Sequence, residues 1–488
     1  MAACLQELGI LFRRRSNFIA LLWLLVLMVF AALGTAKSQS IVETLPGFPG
    51  KLPFKLETGY VGVGEADDVQ LFYYFIESEG NPKKDPLLLW LTGGPGCSSL
   101  TGLVYEIGPL SFNYEDFDGN LPTFLLNPYS WTKVASIIFL DAPVGSGFSY
   151  ATTSQGYNIT DHISAAQTYE FLTKWLKDIH PEFMSNVLYV GGDSYSGIIV
   201  PIIVQEIYNG NSVGRSPLIK LSGYLLGNPV TDRRGDVNAR VEYARGMALI
   251  SDELYHAVKR SCHGEYVVVD PENVECLKDL EAVTTCIEKL DPANILEPNC
   301  PLISPKSDGI RWNQLAFLEQ NPVEIHMPNS WSQPPALWCR VYTYVLSYLW
   351  CNDENVQKAL HIRKGTVKKW VRCNESMSYT YDVISTVDYH RNFTNITGYR
   401  SLIYSGDHDL NVPFLGTLEW IRSLNMTLND VWEPWLVDGQ VAGYSMDFVK
   451  NQYSMTYATI KGGGHTAPEY KPKQSFAMAE RWFAHYPL

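Results

Sequence analysis

Positive charge is scarce in this sequence. Lysine and arginine together number 38 against 51 aspartates and glutamates, and the formal net charge over 488 residues is −13. A nucleic-acid binder needs a basic face to neutralise phosphates, so no nucleic-acid partner is expected. Metal-binding patterns are also missing. There is no H-E-x-x-H, the ten histidines are scattered, and the nine cysteines lack paired C-x₂-C spacing. His180, His256 and His361 read as ordinary surface or core side chains. Glycine-rich stretches occur, but Gly93-Gly94-Pro95-Gly96 lacks the Lys-Ser/Thr of a phosphate loop. Gly59-x-x-Gly62-x-Gly64 reads as turns in an early hairpin, not as a dinucleotide fingerprint. Neither a metal nor a cofactor is therefore expected. Internal repeats and low-complexity tracts are absent, and beyond the N-terminus no run is long and apolar enough to span a membrane.

What is there begins with a targeting segment. Arg13, Arg14 and Arg15 precede an apolar run of 16 residues, Phe18–Leu33, and small residues Gly34, Thr35 and Ala36 follow. A basic n-region, an apolar h-region and a small-residue cleavage site make residues 1–36 a cleaved secretory signal. The run falls short of the ~20 residues of a spanning helix, so an uncleaved anchor is the weaker alternative. Removing this segment removes Cys4 and leaves an even set of eight cysteines, which in a secreted chain suggests disulfides. Sequons at Asn158, Asn374, Asn392, Asn395 and Asn425 add the expectation of N-glycosylation.

Short apolar runs rich in β-formers recur at Leu87–Leu91, Ile137–Leu140, Val187–Val190, Leu221–Leu226, Leu402–Tyr404 and Tyr457–Ile460. Without polar alternation they suit strands buried on both faces, and helix-like segments such as Ala165–Asp178 lie between them. The expected fold is α/β, with a mixed central sheet. Residues 37–235 and 351–488 form its two parts. Residues 236–350 hold five of the eight mature cysteines and form a disulfide-stapled helical cap. A linker at about 292–335, proline-rich and sparsely periodic, is open to proteolytic nicking into two chains.

Four of the strand-like runs end in motifs. The first enters Thr92-Gly93-Gly94-Pro95-Gly96, the third Gly191-Gly192-Asp193-Ser194-Tyr195-Ser196-Gly197, the fifth Ser405-Gly406-Asp407-His408-Asp409, and the sixth Gly462-Gly463-Gly464-His465. Ligands of open α/β sheets bind beyond the carboxyl ends of strands, so a serine, an acid and a histidine are expected to meet there. Their chain order is that of α/β-hydrolases. Ser194 sits in a nucleophile-elbow pattern whose second glycine, Gly197, comes one place late. A neutral serine needs a base within hydrogen-bond reach, which His465 supplies, and an aspartate must hold the imidazole in the correct tautomer. Asp407 and Asp409 compete for that role. The spacing to Val412-Pro413 favours Asp409 and leaves Asp407 to support the turn. A tetrahedral oxyanion needs two backbone donors, expected from Tyr195 and Gly94.

The stretches "WLTGGPGCSSLTGLVYEIGP", "FLDAPVGSGFSY", "GGDSYSGIIVP", "GNPVTD", "IYSGDHDLNVP" and "GGGHTAPEYKP" resemble the serine carboxypeptidase family from Trp90 to Pro472. The resemblance implies an α/β-hydrolase fold, Ser194, Asp409 and His465 as triad, and Gly94 and Tyr195 as oxyanion donors. It also implies disulfides Cys97–Cys339 and Cys262–Cys276, with Cys286, Cys300, Cys351 and Cys373 left open. A vacuolar location follows, or secretion as the alternative. In the family pattern an Asn opens the glycine loop and a Glu precedes the nucleophile, and both clamp a peptide's terminal carboxylate. Here those positions hold Thr92 and Asp193, while Glu106 matches the acidic partner of the clamp. Threonine lacks an amide fork and aspartate is one methylene shorter. The combination resembles the plant serine carboxypeptidase-like acyltransferases, which take aromatic acyl groups from 1-O-β-glucose esters and pass them to an alcohol acceptor. Thr92, Gly93, Asp193 and Glu106 become the substrate-binding candidates. An acid carboxypeptidase is the alternative. A non-catalytic companion subunit is disfavoured by the ordered Ser, Asp and His.

Overall fold

The computed structural model describes residues 39–300 and 339–488. The expected signal segment and most of the expected linker lie outside the described residues. Residues from Ile41 onward form one unit. Its strands include β1 (Leu56–Val63), β2 (Val69–Ile76), β3 (Leu87–Leu91), β4 (Ser136–Leu140), β5 (Leu188–Asp193) and β6 (Leu221–Gly227). A small hairpin of β7 (Leu290–Asp291) and β8 (Asn294–Pro298) follows, and then β9 (Arg400–Gly406), β10 (Thr427–Val437), β11 (Gln440–Lys450) and β12 (Tyr453–Ile460).

The principal sheet runs in the order β1-β2-β4-β3-β5-β6-β9-β12-β11-β10. Pairings from β4 through β12 are parallel, and antiparallel hairpins close both flanks. Burial on both faces explains the unbroken apolar runs. Leu87, Leu89 and Leu91 of β3 enter one core cluster, while Leu88 and Trp90 enter the other. Helices α1 (Asp161–Lys174) and α2 (Ser196–Ser212) cover the first face, where Phe171, Leu172, Ile198 and Ile203 pack. All six strand-like runs of the sequence are strands. Gly59 and Gly62 depart from expectation. Both lie inside β1, and the turn begins only at Gly64, at φ +82°.

The cap contains α3 (Arg233–Gly246), α4 (Asp252–Ser261) and α5 (Val274–Ile287), with Asp232, Ser251 and Asn273 accepting from first-turn amides as N-caps. These helices have their own core around Val241, Tyr243, Val258 and Leu280, and Leu410 of the main body joins it. The first of them starts at Arg233, three residues before the boundary drawn at 236.

Three disulfides are formed, and one expected pairing is overturned. Cys262 bonds Cys276, but Cys97 bonds Cys373, and Cys339 bonds Cys300. The cause is a backbone contact. Segment 372–374 lies along 96–98, with Ser98 N donating to Arg372 O at 2.7 Å and Asn374 N to Gly96 O at 3.0 Å. That bridge puts Cys373 opposite Cys97, while Cys339 packs with Cys300, Val341 and Val345 in a separate cluster. Cys286 and Cys351 are free thiols, the first exposed and the second buried. Asn158, Asn392, Asn395 and Asn425 are exposed. Asn374 is half-buried, and its amide donates to Gly145 O at 2.9 Å. No helix among the described residues is long and apolar enough to cross a membrane.

Candidate active site

Ser194 follows β5 directly and stands before α2. Its φ is +56°, a left-handed conformation that a non-glycine residue adopts at a cost. Its neighbours explain why the turn can close. A Cβ on Gly192 would lie 2.4 Å from Leu91 O, and one on Gly197 would lie 2.4 Å from Val230 O. Gly197 is therefore required despite coming one place late. Ser196, where the usual pattern has glycine, turns its hydroxyl to Leu91 O at 3.1 Å. On the other side of the serine, a Cβ on Gly93 would meet Ser194 Cβ at 2.6 Å and Tyr195 N at 2.8 Å. The glycine loop and the elbow are thus in contact. Gly94, at φ +118°, forms the turn beside it.

His465 comes from the loop after β12. Its Nε2 lies 2.7 Å from Ser194 Oγ and its Nδ1 lies 2.7 Å from Asp409 Oδ2. Asp409, after β9, is fully buried. Its Oδ1 accepts from Asn411 N at 2.7 Å and Val412 N at 3.2 Å, and its Oδ2 also accepts from Asn228 Nδ2 at 2.8 Å. Burial disfavours the imidazolium of His465, but Asp409 and Asp193 outweigh it and hold the ring above its ordinary range. Asp407 is engaged elsewhere. It accepts from Gly462 N at 2.6 Å and pairs with Lys461 at 2.8 Å, so it supports the histidine loop. His408 is half-buried beside it. Such a line of hydroxyl, imidazole and satisfied carboxylate can activate a serine for acyl transfer.

The residues flagged for substrate binding lie close by and are poorly satisfied. Thr92 Oγ1, Asp193 Oδ1 and both carboxyl oxygens of Glu106 are buried without a hydrogen-bond partner of ordinary geometry. Burial pushes the Asp193 carboxyl up to about 6, against the pull of His465. Burial, then the charge of Asp193, drives the Glu106 carboxyl well above the usual range. Glu106 also lines a cavity of about 670 Å³, together with Phe112, Tyr129, Glu297, Arg340 and Glu469. Glu469 is tied back to the histidine loop through Thr466 Oγ1 at 2.9 Å and accepts from Tyr344 OH at 2.9 Å.

Two contributors escaped the sequence reading. Asn228, at φ +42°, accepts from Gly406 N at 3.0 Å while donating to Asp409. Its place at the carboxyl end of β6 was the available signal. Asp161, the first residue of α1, accepts from Tyr195 OH at 2.6 Å, Tyr379 OH at 2.8 Å and two backbone amides. The Arg233 guanidinium also donates to the Tyr195 hydroxyl and lies 4.5 Å from the Tyr381 ring centre. Nothing in the sequence pattern signals this cluster, since its members lie far apart in the chain. No group of side chains suited to a metal ion occurs among the described residues.

Known proteins are similar to this chain. A family model described as serine carboxypeptidase matches residues 46–485. Among curated relatives, the chain is 50% identical over 467 residues to serine carboxypeptidase-like 7 of Arabidopsis thaliana, covering 96% of this chain and 98% of the relative. Serine carboxypeptidase-like 13 of the same plant is 50% identical, with 96% and 99% covered. Among solved structures, Kex1Δp, a prohormone-processing carboxypeptidase from Saccharomyces cerevisiae, superposes with a TM-score of 0.67 at 19% identity, covering 88% of this chain and 91% of that one. At that identity the likeness speaks for the fold.

Proposed function

The chain belongs to the serine carboxypeptidase family, and from that premise we propose that it is an acyltransferase that moves an aromatic acyl group from a 1-O-β-glucose ester to an alcohol. Ser194 Oγ attacks the ester carbonyl while His465 Nε2 takes its proton. Asp409 holds the imidazole and stabilises its cation. The backbone N–H groups of Gly94 and Tyr195 receive the oxyanion. Collapse of the tetrahedral intermediate breaks the bond to the glucose C1 oxygen, which leaves with the proton from His465. The acceptor alcohol then loses its proton to His465, attacks the acyl-enzyme and frees the serine. A bound acceptor outcompetes water through proximity, worth effective concentrations up to ~10⁵ M or more in favourable cases.

The observation that carries this reading is the unsatisfied group formed by Thr92, Asp193 and Glu106. A hydroxyl and two acids whose protons are held tightly suit the neutral hydroxyls of a sugar. They provide no amide fork for a peptide's terminal carboxylate. The disulfides fit a secretory-pathway protein, with the vacuole as the proposed destination and secretion as the alternative. Cleavage of the linker would give a two-chain form.

The test uses the glycosylated protein at acid pH. It is incubated with phenolic glucose esters and an alcohol, and separately with a blocked dipeptide, with Ser194→Ala beside both. Serine-dependent release of glucose with ester formation is expected. Serine-dependent amino-acid release, with no transfer from any glucose ester, would replace this reading with an acid carboxypeptidase.

A further inference from the structure

The β7–β8 hairpin belongs to the cap by sequence, yet its tip is built into the site. Pro292 O accepts from Leu410 N at 2.9 Å and from Asn411 N at 3.1 Å, the two residues after Asp409. Ala293 O accepts from His465 N at 2.7 Å, and Ile295 N donates to His408 O at 3.0 Å. One four-residue stretch therefore grips the backbone of both the acid loop and the base loop. The approach is so close that a Cβ on Gly464 would fall 2.4 Å from Ala293 O. The tip is shaped by a side chain: Asp291 Oδ1 accepts from Ala293 N at 2.9 Å, across a pairing of Asp291 with Asn294.

We propose that this hairpin tip is a positioning element for the acid and the base, with Asp291 as the residue that fixes it. The proposal rests on the reading of Ser194, His465 and Asp409 as the catalytic set. Asp291 does not reach the serine. It acts by aiming Ala293 O at the His465 amide and Pro292 O at the loop that carries Asp409. Loss of this hold lets the imidazole drift relative to Ser194. Misplacement by about 1 Å can cost roughly 10²-fold in rate.

Hydrolysis of p-nitrophenyl acetate reads the serine without any demand on the acyl donor. Asp291→Ala is expected to lower kcat of the order of 10- to 100-fold while KM changes little. Asp291→Asn keeps an acceptor oxygen and is expected to restore most of the rate. Equal loss in both variants would make the effect one of charge near His465 and overturn the positioning role. Wild-type kcat in Asp291→Ala, with Ser194→Ala inactive, would overturn it while leaving the catalytic set standing. Persistent activity in Ser194→Ala would overturn both. Should Asp291→Ala fail to fold, Gly464→Ala addresses the same contact from the opposite side, and wild-type kcat there would equally refute the proposal.

Discussion

Asp409 and Asp193 both lie buried in one site, within reach of the same imidazole, but the fold treats them differently. Asp409 receives two backbone amides, the Asn228 amide and the His465 ring. Asp193 has an oxygen without a partner and a carboxyl pushed up to about 6. The difference lies in the surrounding backbone. The loop after β9 folds two amides onto its own aspartate, whereas at Asp193, at the end of a strand, burial outweighs the nearby Gly93 and Asp193 amides. Two identical side chains thereby differ in what they have left to offer: one is spent on a histidine, and the other, in the proposed function, is free to meet a ligand.

Mutations can break this contrast in order of severity. Ser194→Ala removes the proposed nucleophile, and turnover should fall on the order of 10⁶-fold, as when a triad nucleophile is deleted. Asp409→Asn should cost about 10⁴-fold in kcat, because the amide holds the wrong tautomer of His465. If Asp193 instead serves binding, Asp193→Asn should act mainly on donor KM, by about 10-fold or less, the scale of one hydrogen bond. Steady-state kinetics on one phenolic glucose ester would rank all three, and an Asp193 effect confined to kcat would erase the distinction drawn between the acids.

The smallest effect is on stability. With its folded pKa near 6 and an unfolded value of about 3.9, Asp193 keeps a proton when folded that the unfolded chain has lost. Its contribution is therefore full below about pH 4 and is lost as pH rises through about 6. Asp193→Asn lacks that loss. Its melting temperature relative to wild type should climb across this window, and a constant difference would show that the aspartate is not protonated in the fold.

Local patterns made the sheet legible, because short apolar runs rich in β-formers, such as Leu87–Leu91 and Tyr457–Ile460, suit interior strands. The meeting of Ser194, His465 and Asp409 was legible for a related reason, since each sits where such a strand ends. Contacts made by distant backbones were not. Cys97 meets Cys373 through a bridge between 96–98 and 372–374 that no spacing announces. Pro292 looked like the start of a loose linker because prolines cluster after it, yet its carbonyl accepts two amides beside Asp409. Asp161 lies just ahead of the helix-like segment Ala165–Asp178, and its link to Tyr195 exists only once α1 and the elbow are packed together.

The left-handed backbone at Ser194 also limits what chemistry the position can evolve towards. Of the two aliphatic hydroxyl residues, only serine fits, because a β-branched side chain at φ +56° clashes with its own main chain. Cysteine has no such branch and could occupy the bend. Drift at this codon is thus open to a thiol enzyme and closed to a threonine one, a restriction set by one dihedral angle.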